Sequence, residues 1–97
     1  MKADGILRQV NARWEDIRRL GVRRLGLFGS AVRDELGPDS DVDILVEFEH
    51  KSFDNYMDLK FFLEDLLGRS VDLVTTEALK PRLKPTILAE AVYAEGL

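Results

Sequence analysis

The chain has 97 residues, a length that predicts a single domain over residues 1–97 with one modest hydrophobic core. It has no cysteine, which excludes disulfides and thiolate metal sites, and its one histidine, His50, cannot form a histidine-based zinc site alone. The net charge of −4 argues against an extended nucleic-acid footprint, which would need a basic face. The sequence shows neither a signal-peptide pattern nor an apolar run of membrane-spanning length, so we expect a cytoplasmic protein without membrane contact.

Residues 5–20 are predicted to form an amphipathic helix that ends at Gly21. The apolar residues at helical spacing are Leu7, Val10, Trp14, Ile17 and Leu20. The arginines off this stripe are Arg8, Arg13, Arg18 and Arg19. We interpret them as a solvated face that also carries Glu15 and Asp16, with contact to nucleic acid or an acidic partner as the alternative.

Residues 22–29 are predicted to form the first strand, and a short helix is expected to begin at once with Ser30 at or near its N-cap. Free backbone N–H groups at a helix start bind anions. Gly29 would let a phosphate approach the backbone, and Arg33 would add a charged donor one turn later. We call Gly29, Ser30 and Arg33 the phosphate cradle.

After a turn at residues 37–40, residues 41–48 alternate between apolar and polar side chains, as a half-buried strand does. Asp41 and Asp43 then share one face, about 6.5–7 Å apart at their roots. Two carboxylates this close repel each other unless a cation lies between them, and Mg²⁺ is typically bound by one or two carboxylates together with substrate phosphates. The compact strand–helix–strand unit predicts that the first two strands pair antiparallel.

A third helix is predicted from Ser52 to near Gly68, and it carries two apolar stripes. The stripe expected to cover the sheet comprises Leu59, Phe62, Leu63 and Leu66. The second stripe comprises Phe53, Met57 and Phe61. In one interpretation the N-terminal helix covers the second stripe. In the other, the second stripe is a protein interface, because excess exposed apolar area tends to mark one.

Residues 71–74 are predicted to form a third strand in which Asp72 points to the same side as the earlier aspartates, provided that its neighbours face the helices. The basic residues Lys80, Arg82 and Lys84 are interpreted as a solubilising loop, with a partner or a phosphate as alternative ligands. A last helix is expected to begin at Pro85. The residues that it should carry toward the core are Ile87, Leu88, Ala91, Val92 and Tyr93.

Gly29-Ser30, ten intervening residues and Asp41-Val42-Asp43 resemble the G-S-x10-D-x-D signature of the DNA polymerase beta nucleotidyltransferase superfamily. The short chain is similar to the minimal nucleotidyltransferases, which are antitoxin partners of HEPN-domain toxins. It departs from the family pattern at Ala31 and Asp34, where a basic residue and a glycine are frequent. The resemblance implies an α/β (α+β) fold, with a small mixed sheet of about three strands flanked by helices.

The resemblance also implies a site and an activity. The catalytic residues and ligands of two Mg²⁺ ions would be Asp41, Asp43 and Asp72. Asp72 would orient or deprotonate the attacking hydroxyl. ATP would be bound by Gly29, Ser30, Arg33 and Ser40. The implied reaction transfers AMP from ATP to a tyrosine hydroxyl near the ribonuclease site of the HEPN toxin.

Two other functions stay open. One is a non-catalytic antitoxin that neutralises its toxin by covering it with the apolar surface of helix 53–67. The other is a small-molecule nucleotidyltransferase whose pocket is completed by a second subunit.

Overall fold

The computed structural model describes residues 2–94. Its helices are α1 (Ala3–Ala12), α2 (Trp14–Arg19), α3 (Phe53–Leu67) and α4 (Lys84–Glu90). Its strands are β1 (Val22–Leu27), β2 (Val42–Phe48), β3 (Val71–Thr75) and β4 (Val92–Tyr93). This mixed arrangement of helices around one sheet confirms the predicted fold class.

The sheet has the strand order β3-β2-β1-β4. β1 and β2 pair antiparallel, as predicted, and β2 pairs parallel with β3 through the α3 crossover. About three strands were expected, but the sheet has four, because Val92 and Tyr93 pair antiparallel with the end of β1. A strand of two residues is too short to produce an alternating pattern in the sequence.

One face of the sheet packs against the helices and forms the core. The alternation predicted for β2 is observed, with Val42, Ile44, Val46 and Phe48 buried on this face. The helices contribute the fully buried residues Ile6, Val10, Ile17, Leu59 and Leu63. Burying apolar side chains on one face leaves the other face of the sheet free for polar residues.

The predicted N-terminal helix is interrupted at Arg13, which separates α1 from α2. The apolar stripe is nevertheless placed as expected, since Val10 and Ile17 are buried and its other members pack partly buried against the core. Arg13 and Arg18 pair with acidic residues of α2 on an exposed face, which agrees with the solvated interpretation. Gly21 follows with φ +86°, a conformation in which glycine carries no steric penalty.

Helix α3 has the two ends predicted for it. The Ser52 side chain accepts a hydrogen bond of 3.1 Å from the backbone N–H of Asn55, and Gly68 adopts the left-handed conformation after the last turn. The second stripe is not covered by the N-terminal helix, because Phe53 is 77% exposed and Phe61 is 59% exposed. Two apolar rings of the second stripe are therefore exposed on α3, with the partly buried Met57 between them.

The last helix was predicted to carry apolar residues into the core, and this is wrong. α4 begins with Pro85 in its first turn, as expected, but it ends at Glu90 and contains no buried residue. Ala91 is extended, which lets β4 turn onto the edge of β1, and Ala94 donates a 2.8 Å hydrogen bond to the Leu25 carbonyl. The basic loop before α4 is exposed. Between residues 2 and 94, no helix is both long and apolar enough to cross a membrane.

Candidate active site

The acidic side chains lie on the face of the sheet opposite the core. Asp43 of β2 and Asp72 of β3 are register partners in the parallel pair, so their side chains are neighbours. Asp43 is half-buried and Asp72 is exposed. Asp41 is also exposed and lies immediately before β2, on the same side of the alternation. The fold thus brings Asp43 and Asp72 together, with Asp41 at the start of the strand.

Two side chains of α3 hold β3 in position beside β2. The Tyr56 hydroxyl donates a hydrogen bond to the Leu73 carbonyl. The Glu64 carboxylate accepts a 3.0 Å hydrogen bond from the Val71 N–H. These contacts flank Asp72 along the strand, so α3 determines where the second carboxylate of the pair lies.

The acidic face concentrates negative charge around Asp43. Burial raises the pKa of the Asp43 carboxyl above its ordinary value, and the neighbouring carboxylates of Asp72 and Asp41 raise it further. A hydrogen bond to Asp72 acts in the same direction, and the Arg33 guanidinium opposes these effects. The ionised pair is therefore costly without a compensating cation.

The donor chemistry of this face fits a hard divalent cation. Carboxylate oxygens are the ligands that Mg²⁺ prefers, and mutual repulsion is relieved when a cation binds between them. In the chain from residue 2 to residue 94, however, no group of three His, Cys, Asp or Glu side chains is already placed to hold a metal ion. Asp43 and Asp72 are the close pair, and Asp41 would have to approach them to complete a set of three.

No α-helix directly follows the first strand and the Ser30 side chain makes no capping hydrogen bond, so the short helix predicted here is wrong. Gly29–Ala31 is a single 3-10 turn whose N-cap position is Phe28. The chain then leaves the right-handed region at Asp34, which has φ +56°, and the Glu35 N–H donates a 2.9 Å hydrogen bond back to the Ser30 carbonyl. This turn ends the helical conformation before it can propagate. Asp34 thus adopts a conformation suited to glycine, at the position where the resemblance expects one.

Gly29 is required by its contact with Asp43. Its backbone has φ +66°, and a Cβ placed on it would lie 2.3 Å from the Asp43 Oδ2. A side chain at position 29 would force the Asp43 carboxylate to move, because essentially no real Cβ contact is this short. The turn after β1 therefore packs directly against the acidic pair, and this contact links the two halves of the sequence signature.

Two donors of the phosphate cradle are bound by Glu90, a residue that the sequence interpretation missed. The Gly29 N–H donates to the Glu90 Oε1 at 2.5 Å. The Arg33 Nη1 donates to the same oxygen at 3.2 Å, and its Nε donates to Glu35 at 2.8 Å. No local pattern pointed to Glu90, since it is 61 positions from Gly29 and lies in a helix that was expected to serve the core.

Ser40 and Arg69 fix the turn that precedes Asp41. The Ser40 Oγ accepts a 3.1 Å hydrogen bond from the Gly37 N–H. The Arg69 guanidinium donates to the Gly37 carbonyl, and to the Ser40 carbonyl at 3.0 Å. In this structure the Ser40 hydroxyl closes the turn, and its role in binding nucleotide stays a prediction. Arg69 was missed, because a lone arginine after a helix-ending glycine carries no specific signal.

Most of the chain is similar in sequence and fold to known proteins. The family model of the nucleotidyltransferase domain matches residues 6–94. The protein adenylyltransferase MntA of Thermococcus cleftensis is 51% identical over 76 residues, which cover 77% of this chain and 77% of that protein. A solved structure of a proposed minimal nucleotidyltransferase superposes with a TM-score of 0.76 at 39% identity and covers 95% of each chain.

The fold of this chain is also similar to that of a more distant protein whose structure was solved in a toxin–antitoxin complex. In the solved structure of a tri-AMPylated HEPN toxin of Shewanella oneidensis with an MNT antitoxin, one chain superposes with a TM-score of 0.58 at 20% identity. The superposition covers 89% of this chain and 71% of that chain, and it shows a shared fold. The family-model match over residues 6–94, the 51% identical relative and the 39% identical structure show that the chain is a nucleotidyltransferase and belongs to the family of minimal nucleotidyltransferases.

Proposed function

We propose that this protein transfers AMP from ATP to a tyrosine hydroxyl of a cognate HEPN toxin and thereby acts as its antitoxin. The observation that carries the proposal is the packing of the Gly29 turn against Asp43, with Asp72 beside it. This places donors for phosphate next to two carboxylates on an open face of the sheet. The 51% identical relative named as a protein adenylyltransferase supports the same chemistry.

The proposed reaction divides its tasks among the residues of this face. Asp41, Asp43 and Asp72 would hold two Mg²⁺ ions, which when bound neutralise charge on the triphosphate and on the carboxylates. The Gly29 N–H and the Arg33 guanidinium donate hydrogen bonds to phosphate oxygens. Positioning and charge neutralisation of this kind account for most of the catalysis in phosphoryl transfer.

Asp72 is the residue proposed to contact the acceptor hydroxyl, because its carboxylate is exposed beside the half-buried Asp43. It orients the tyrosine hydroxyl and accepts its proton. The hydroxyl oxygen then forms a bond to the α-phosphorus of ATP. The bond from that phosphorus to the bridging oxygen breaks, and pyrophosphate leaves with the electron pair.

A protein acceptor fits the charge of the molecule better than a nucleic acid does. The net charge of −4 and the acidic face repel a polyanion. The AMPylated toxin bound to the more distant MNT relative supports the choice of a HEPN protein. An added adenylyl group brings bulk and negative charge, which would weaken the binding of RNA to a ribonuclease toxin.

Neutralisation by binding alone is the second candidate, and one observation favours it. Phe53 and Phe61 are exposed apolar rings on α3, which suit a protein interface. Such a protein would silence its toxin without changing the covalent structure of that toxin. The two candidates therefore differ in what happens to the mass of the toxin.

The test is the intact mass of a HEPN toxin co-expressed with this protein, measured together with cell growth. We expect the wild type to add the mass of one or more adenylyl groups, and Asp41→Asn/Asp43→Asn to add none and to leave the toxin active. Asp39→Asn is the matched control, because it removes an exposed aspartate in the neighbouring turn. A toxin that stays unmodified but is silenced by the double variant would support the binding candidate instead.

A further inference from the structure

Glu90 occupies the donors that the proposed function assigns to phosphate. One of its carboxylate oxygens accepts from the Gly29 N–H at 2.5 Å and from the Arg33 Nη1 at 3.2 Å. The Glu90 side chain is 28% exposed, so the contact is partly shielded from water. The hydrogen bond from the Gly29 N–H to the ionised carboxylate is short and charge-assisted, and such bonds are stronger than neutral ones.

A carboxylate oxygen and a phosphate oxygen compete for the same donors. The Gly29 backbone has a single N–H, and it cannot donate fully to both acceptors at once. The second nitrogen that would help a phosphate is Nη1 of Arg33, which also points to Glu90. A triphosphate bound through these donors must therefore displace the Glu90 carboxylate.

The segment that carries Glu90 makes few stabilising contacts with the rest of the protein. Helix α4 has seven residues and none of them is buried. After it, β4 pairs with β1 through only two register partners. Segments with little buried apolar area open at low free energy, so displacement of Glu90 need not disturb the core.

We propose that Glu90 is an intramolecular competitor of the triphosphate: it fills the phosphate cradle in the nucleotide-free protein and sets the affinity for nucleotide. This inference rests on the proposed function, because it takes the phosphate cradle as the nucleotide site. A tethered competitor acts at a high effective concentration, and its removal should raise the affinity for a triphosphate about three- to tenfold.

Calorimetric titration tests the competition, with Mg-ATP and inorganic tripolyphosphate as the two probes. Glu90→Gln and Glu90→Ala should both bind each probe more tightly than the wild type. The matched control is Glu35→Gln, since Glu35 also accepts from Arg33, at 2.8 Å, but not from Gly29. We expect less than a twofold change in the control. Equal gains in the Glu90 and Glu35 variants, or no gain in either, would overturn the proposal.

The contact itself can be followed without nucleotide by the amide resonance of Gly29 in a ¹H–¹⁵N spectrum. This resonance should move in Glu90→Ala and, in the wild type, on addition of tripolyphosphate. An unmoved resonance in Glu90→Ala would refute the inference whatever the protein binds. Tighter nucleotide binding in the Glu90 variants without AMP transfer to any HEPN protein would instead refute the proposed function and leave the inference standing.

Discussion

Gly29→Ala is the substitution whose effect the structure specifies most fully. The backbone has φ +66° at this position, and a Cβ would lie 2.3 Å from the Asp43 Oδ2. The left-handed conformation costs a residue with a side chain about 1–2 kcal/mol. Forcing a methyl group into occupied space costs about 1–3 kcal/mol more. We therefore expect Gly29→Ala to lower the free energy of unfolding by about 2–5 kcal/mol.

Gly68→Ala is the matched control for the backbone part of this loss. Gly68 also has φ +66°, but a Cβ there would meet no atom within 4 Å. This variant should lose only the conformational part, about 1–2 kcal/mol. Because 1 kcal/mol lowers the Tm of a small domain by about 4–8 °C, the two variants should be separated clearly in thermal unfolding.

Urea denaturation followed by circular dichroism measures both losses, and AMP transfer per folded molecule measures the consequence for the site. Gly29→Ala should reduce transfer beyond its loss of folding, since Asp43 must move, whereas Gly68→Ala should not. Adding Asp43→Ala to Gly29→Ala should recover the steric part of the lost stability. Equal losses for Gly29→Ala and Gly68→Ala would refute the reasoning that Gly29 is required by its contact with Asp43.

Three further outcomes are expected. Because burial and neighbouring carboxylates raise the folded-state pKa of Asp43 above its ordinary 3.8, the metal-free fold binds this proton more tightly than the unfolded chain does. With metal removed by a chelator, the wild type should therefore lose stability as the pH rises from about 3.8 through the folded-state pKa of Asp43. Asp43→Asn should remove this loss and have the higher Tm at neutral pH. A Tm difference between the two proteins that is constant with pH would contradict this expectation. Arg69→Met should lower the free energy of unfolding by about 1–3 kcal/mol in urea denaturation, because the Gly37 and Ser40 carbonyls lose their donor. An unchanged denaturation midpoint would show that these two hydrogen bonds do not stabilise the fold. Phe53→Ser and Phe61→Ser should weaken binding of a HEPN toxin in calorimetry while leaving the Tm within a few degrees, and unchanged affinity would exclude the α3 stripe as the interface.

The parts of the fold that could be predicted are those with a local signal. The alternation in β2 identified its buried face, because side-chain direction in a strand has a period of two. Ser52 and Gly68 marked the ends of α3 through caps that act within a few residues. The alternation also assigned Asp72 to the face of Asp43, although only the parallel register makes them direct neighbours.

The parts that could not be predicted depend on distant contacts. Glu90 meets the phosphate cradle only because α4 stops and β4 turns onto the edge of β1. Arg69 matters through carbonyls about thirty positions earlier, which no spacing rule connects to it. The short helix predicted at Ser30 was wrong for a local reason instead, since the left-handed conformation of Asp34 ends the turn before a helix can form.

Among the strand pairings of residues 2–94, the pairing of β4 with β1 closes the longest loop. Gly26 and Tyr93 are register partners with most of the chain between them, whereas β2 and β3 are joined by one helix and its short connections. Closing a long loop costs more chain entropy, and this pairing has only two register partners to offset it. The strand beside Glu90 should therefore dock last during folding.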